Sequence, residues 1–234
     1  MQTIRAYISA QQSIFTRHAF FDALADAPSL SHVMHVAPRL AFWVMAFQDI
    51  LRLNEQLVTE PALRKIARHH KAEDAGHERW FLADLAQFKS GDLDIKTLFG
   101  PGHRATRDAA YALVAEVFRA DSDLQRIVLV LTLESTGHVF FERMARFVDA
   151  HGGRDRLRYF SAFHLEIEHA HEVFEERMLS ALDARTLSPA EVAAARALVD
   201  RCYAAFTAMF DALFTELVAA RLSPRSEPQL AVEA

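Results

Sequence analysis

The sequence predicts an all-α protein. Glycine and proline number only seven each in 234 residues, and they gather between long stretches of helical periodicity rather than at strand-and-turn intervals. Ser188-Pro189-Ala190-Glu191 supplies an N-cap residue, a proline at the first helical position and a glutamate at the third, which together mark a helix start. Beyond it Leu198, Cys202, Phe206, Met209, Phe210, Leu213 and Leu217 recur at three-and-four spacing, laying one apolar stripe along a helix.

Seven main helices are expected. Segments 3–26 and 38–55 come first, the second carrying Gln48 and Asp49 inside an otherwise apolar run. A long helix over 60–88 carries His70, Glu73, Asp74 and His77, and another follows over 104–119. Segment 122–151 is more apolar: the run from Ile127 to Leu133 is too short to span a bilayer and leads directly into Glu134, so a buried helix explains it. Segment 157–182 carries His164, Glu168 and His171, and 189–221 closes the set with its stripe facing the core or a dimer partner. Residues 1–222 read as a single domain, because the chain is long enough for one substantial core and short for two. Residues 223–234, with Pro224 and Pro228 and no periodicity, read as a flexible tail.

Composition narrows the function classes. Hydrophobic residues make up 51% and charged residues 24%, which is ordinary globular composition. A net charge of −5 and a pI near 6.2 disfavour nucleic acid and anionic membranes, since both need clustered positive charge. Cys202 is the only cysteine, so no internal disulfide or thiolate zinc knuckle can form, and a reducing compartment fits. No basic leader precedes an apolar stretch at the amino terminus and no apolar run nears ~20 residues, so the expectation is a soluble, cytoplasmic protein.

His164, Glu168 and His171 carry the strongest chemical signal. Spacings of four and three place two imidazoles and a carboxylate on one helical stripe, half of a metal site. Composition alone would produce that spacing only about 0.08 times in such a chain, and context raises it further: Phe160, Phe163, Ile167 and Phe174 flank the stripe. His70, Glu73, Asp74 and His77 repeat the pattern on an earlier segment, with Glu134 between the two. Three segments offering nitrogen and oxygen donors imply a cluster of ions, because buried carboxylates without cations would each cost several kcal/mol. The plainer alternative is a solvated face laced by Arg79, Arg143 and Arg177.

The series Glu73-Asp74-Ala75-Gly76-His77-Glu78-Arg79-Trp80, then Glu134, then His164-x3-Glu168-x2-His171 resembles the heme-oxygenase-like di-metal oxidases. The resemblance spans most of the chain. It implies an up-and-down helical bundle, related in fold to the thiaminase-like and PQQ-synthesis bundles, with activities that include alkene-forming fatty-acid decarboxylation, N-oxygenation and amino-acid cleavage. It also implies that His77, Glu134, His164, Glu168 and His171 are metal ligands, with Glu168 standing where many members have aspartate. Glu134 and Glu168 are the expected catalytic carboxylates, one or the other of them bridging the metals. The sixth ligand is left between Asp74, which is favoured, and Glu73. His70, Gln48 and His138 are expected to support the ligands or touch substrate.

Mixed imidazole and carboxylate donors suit two iron ions, with manganese the alternative, and dioxygen is the implied co-substrate. Three ionised carboxylates at Asp74, Glu134 and Glu168 would nearly balance the charge of two ferrous ions, leaving room for one small anion. The expected substrate is a small apolar or amino-acid-like molecule, served by an external electron donor, in a homodimer. Two other readings compete with this one. A non-catalytic metal- or ligand-binding bundle is the first, with His18 or His35 as possible lone heme ligands. A thiaminase-like hydrolase using Cys202 as nucleophile is the second. The 18 phenylalanines are expected to serve mainly dry packing, with Phe42, Trp43, Phe47, Phe140, Phe141 and Phe174 as the alternative walls of a substrate tunnel.

Overall fold

A computed structural model of the chain describes residues 1–88, 93–167, 182–183 and 185–222. Its elements are helical throughout, with no strand among the described residues. In order they are α1 (Gln2–Phe15), α2 (Ala19–Ala25), α3 (Leu30–Met34), a 3-10 turn at Ala37–Leu40, α4 (Ala41–Leu57), α5 (Pro61–Glu73), α6 (His77–Gln87), α7 (Ile95–Leu98), a 3-10 turn at Pro101–His103, α8 (Arg104–Arg119), α9 (Asp123–Ala150) and α10 (Pro189–Leu222). Residues 162–167 are also helical.

Helix α10 is the centre of the packing. It lies against α1, α2, α8 and α9, while α4 packs on α5 and α8. All seven residues of its expected stripe, from Leu198 to Leu217, are buried, so that face is core rather than dimer surface. Its start is the predicted reciprocal cap: Ser188 Oγ accepts from the Glu191 amide at 3.3 Å, and Glu191 Oε2 accepts from the Ser188 amide at 2.8 Å. By length and composition α10 is apolar enough to cross a membrane, with a mean hydropathy of 1.3 in its most apolar stretch, which the run-length reading of the sequence did not register.

Two expected helices are broken. Segment 3–26 divides at Thr16–His18, where His18 Nδ1 accepts from the Phe20 amide at 3.1 Å and so caps α2. Segment 60–88 divides at Asp74–Gly76, because Gly76 takes φ 98°, a left-handed conformation that glycine adopts without strain. The break matters for function: α5 ends and α6 begins between Glu73 and His77, so these residues do not share one helical face. Segment 157–182 begins later than expected, after a turn over 154–161. Its remainder, with Glu168, His171 and Phe174, lies outside the described residues, as does the expected tail over 223–234.

The other joints are held by charge. Asp123, at the start of α9, accepts from the amides of Thr59 and Glu60 at 2.8 and 2.6 Å and from the Thr59 hydroxyl at 2.9 Å, fixing the α4–α5 corner. Buried Glu55 on α4 faces three α5 cations: Arg64 at 3.3 Å, Arg68 at 3.5 Å and Lys71 at 3.0 Å. The apolar run of α9 is buried from Ile127 through Val130 and again at Leu133, which carries Glu134 toward the interior.

Candidate metal centre

His77 and His164 meet in the interior although 87 residues separate them. His77 is the first residue of α6 and is 6% exposed; His164 lies in the helical turn after α9 and is 1% exposed. The Tyr159 carbonyl lies 2.9 Å from His164 Nδ1. A carbonyl only accepts, so the proton of His164 sits on Nδ1 and its Nε2 presents a lone pair. That lone pair faces His77 Nδ1 at 3.0 Å, and His77 Nδ1 stands 3.4 Å from Asp74 Oδ1.

These are hydrogen-bond and ion-pair distances, and they bring nitrogen and oxygen donors of two segments together at one point. Aromatic rings hold the imidazoles in position. Trp80 stacks on His77 with centroids 4.4 Å apart and planes at 24°, and Phe141 meets His164 edge-on at 4.1 Å.

The local chain path explains how these donors converge. Gln48 on α4 donates from Nε2 to the Asp74 carbonyl at 2.8 Å, pinning the α5–α6 corner from which Asp74 and His77 project. Asp84, about two turns beyond His77 on α6, is 1% exposed. Its carboxylate accepts from the amides of Arg158 at 2.9 Å, Tyr159 at 2.8 Å and Phe160 at 3.2 Å. Burial raises the Asp84 pKa, and these three amides oppose that rise. One buried carboxylate therefore ties the helix bearing His77 to the turn that orients His164.

A second group adjoins the first. His70 is 2% exposed, and its Nδ1 is 3.8 Å from Glu134 Oε1 on α9. Burial, and then the nearby His69, pushes His70 down to about 4, so its ring is neutral at physiological pH, the form that binds metals. Glu73 points to His69 instead, at 2.6 Å. Burial, and then the Asp74 carboxylate, pushes Glu73 up to about 7.

The sequence-expected ligands thus divide. Asp74, His77, Glu134 and His164 line one cavity together with Gln48. Glu73 pairs along its own helix, and His138 lines a separate cleft with Glu142, Arg146 and Asp149. Glu168 and His171 lie outside the described residues. Among the described residues no group of three or more His, Cys, Asp or Glu side chains is placed so that it could hold a metal ion. Of the arginines expected to lace the face, Arg79 lies 3.7 Å from Glu78 and is itself largely exposed, and Arg177 lies outside the described residues.

The cavity is about 70 Å³ for centres of water-sized molecules, space for several waters or a small ligand. Trp43, Phe47, Phe140 and Phe141 do line it, so these four are walls as well as core. Phe42 does not; it packs against the exposed Phe99 and Tyr111. Asp49 is exposed and pairs with Arg52 at 2.8 Å. Two supporting residues were missed in the sequence. Tyr159 acts through its carbonyl, which no side-chain pattern signals, whereas Asp84 stood as an acid on an otherwise apolar helical face.

Cys202 is fully buried, and burial, then Glu116, pushes its thiol far above the ordinary range, away from the nucleophilic thiolate. His18 is engaged as a helix cap, with Nε2 3.3 Å from Asp211, and His35 is exposed. No protein-family model matches the chain, and no curated protein matches it.

Proposed function

We propose that the chain is a non-heme di-iron oxidase or oxygenase of the heme-oxygenase-like kind, acting on a small apolar or amino-acid-like substrate. The observation that carries this reading is the approach of His164 Nε2 to His77 Nδ1 at 3.0 Å beside Asp74, on the wall of an apolar cavity. Asp74, His77, Glu134 and His164 would hold the metal together with Glu168 and His171, which the sequence resemblance adds. Two ferrous ions bound there would supply the electrons that reduce dioxygen.

The residues prepare the site in three ways. The Tyr159 carbonyl accepts from His164 Nδ1 and so turns Nε2 toward His77. Metal ligation to imidazole competes with its protonation, so binding should strengthen with rising pH. Trp43, Phe47, Phe140 and Phe141 exclude bulk water and leave room for an apolar substrate body. A cytoplasmic setting and an external electron donor complete the proposal, in which Glu134 would be one of the carboxylates that hold the metal.

A ligand-binding bundle without chemistry is the second reading, favoured by the enclosed apolar cavity alone. Anaerobic loading with ferrous iron, followed by air, separates the two. The proposal expects about two irons per chain and an absorbance change with dioxygen consumption; iron binding without dioxygen consumption would favour the binder.

A further inference from the structure

The cavity beside His77 ends against a second void. Leu40 and Phe140 line both. The second void is about 10 Å³ and is bounded only by apolar side chains, among them Met144, Phe160 and Leu213. A space that small and that apolar stays dry. We propose that Phe140 is the end wall of the substrate cavity and sets the length of apolar chain it accepts, an inference that rests on reading this cavity as the substrate site.

Three observations support the assignment. Among the polar lining residues, Gln48, Asp74, His77 and His164 are tied to one another by short contacts, with Glu78, Glu134 and Thr136 also on the lining, while Leu40, Phe140, Phe206, Met209 and Phe210 supply apolar wall. No lysine or arginine is among the described lining residues, so none of them is placed to pair with an anionic ligand body. The Phe140 ring is held edge-on by Phe141 at 5.3 Å and Phe210 at 5.9 Å, which makes it a fixed wall rather than a loose one.

Gly137, about one turn earlier on α9, sets the width in the same way. It lines the cavity, and a Cβ there would meet only Phe141 Cε2, at 3.9 Å. A larger side chain at 137 would therefore enter the cavity without forcing the backbone to move.

The test is a titration of the full chain, as purified and after chelation, with straight-chain alkanols of increasing length. Fluorescence of Trp43 on the cavity wall is the readout. Affinity should rise about fourfold per added methylene and then level off at a limiting length. Phe140→Ala should move that limit to longer members. Leu213→Ala, which enlarges the second void but leaves the partition in place, should not move it. Gly137→Leu should weaken every member by about tenfold or more. If Phe140→Ala does not give a folded circular dichroism spectrum, Phe140→Leu should still lengthen the limit.

Absence of alkanol binding or of a limit in the parent chain, an unmoved limit in the Phe140 variants, or an equal shift in Leu213→Ala would each overturn the assignment. The chelated arm separates it from the di-iron reading. Alkanol binding with the expected limit but no iron binding would leave the end wall standing and remove the enzyme, and the converse result would do the opposite.

Discussion

Asp84 on α6 holds the Tyr159 amide at 2.8 Å, and the carbonyl of the same Tyr159 receives His164 Nδ1 at 2.9 Å. The two imidazoles of the candidate centre are thus positioned by one helix: His77 directly, and His164 through a buried carboxylate.

Replacing Asp84 should therefore disturb two properties together. Asp84→Ala removes the acceptor of three amide hydrogen bonds and should cost about 3 kcal/mol in chemical denaturation. Iron affinity should also fall by about 10–100-fold, the usual cost of removing a group that orients a ligand. Loss of stability with unchanged iron affinity would show that the turn does not orient His164.

Gly76 separates α5 from α6 with a positive φ, and a Cβ there meets nothing within 4 Å. Gly76→Ala should then cost about 1 kcal/mol through backbone strain alone. It should also weaken iron binding, since Asp74 and His77 flank the corner, and isothermal titration would read the change.

Glu55 links α4 to α5. The Lys71 hydrogen bond, outweighing burial and helped by Arg64, holds its carboxyl below the usual range. A carboxylate depressed in the folded state adds stability above its unfolded pKa of about 4.3, and that stability is lost as pH falls through the folded value. Glu55→Gln should cost about 1 kcal/mol at pH 7, and the difference should shrink below about pH 4 in urea melts.

Much of the fold was legible in the sequence. The cap at Ser188, the α10 stripe and the bounds of α8 follow from local rules that tertiary contacts did not override. The breaks at His18 and Gly76 were not anticipated. Histidine is an uncommon N-cap, and a single glycine within a strong helical pattern was read through although it is a frequent punctuation mark. At the site, His77 and His164 were visible as spaced donors, and the structure brings them together. The choice between Asp74 and Glu73 needed the corner geometry, which turns Asp74 toward His77 and leaves Glu73 beside His69. Phe42 shows the reverse limit: its neighbours Phe99 and Tyr111 come from distant segments, so no pattern in α4 could tell it from Trp43 or Phe47.

The most direct test of the centre is an anaerobic ferrous titration of the parent chain beside His77→Ala, His164→Ala and the exposed control His151→Ala. The account predicts about two irons per chain for the parent and the control, and a loss of at least one in each of the other two. Equal iron content in all four proteins, or none in the parent, would contradict it.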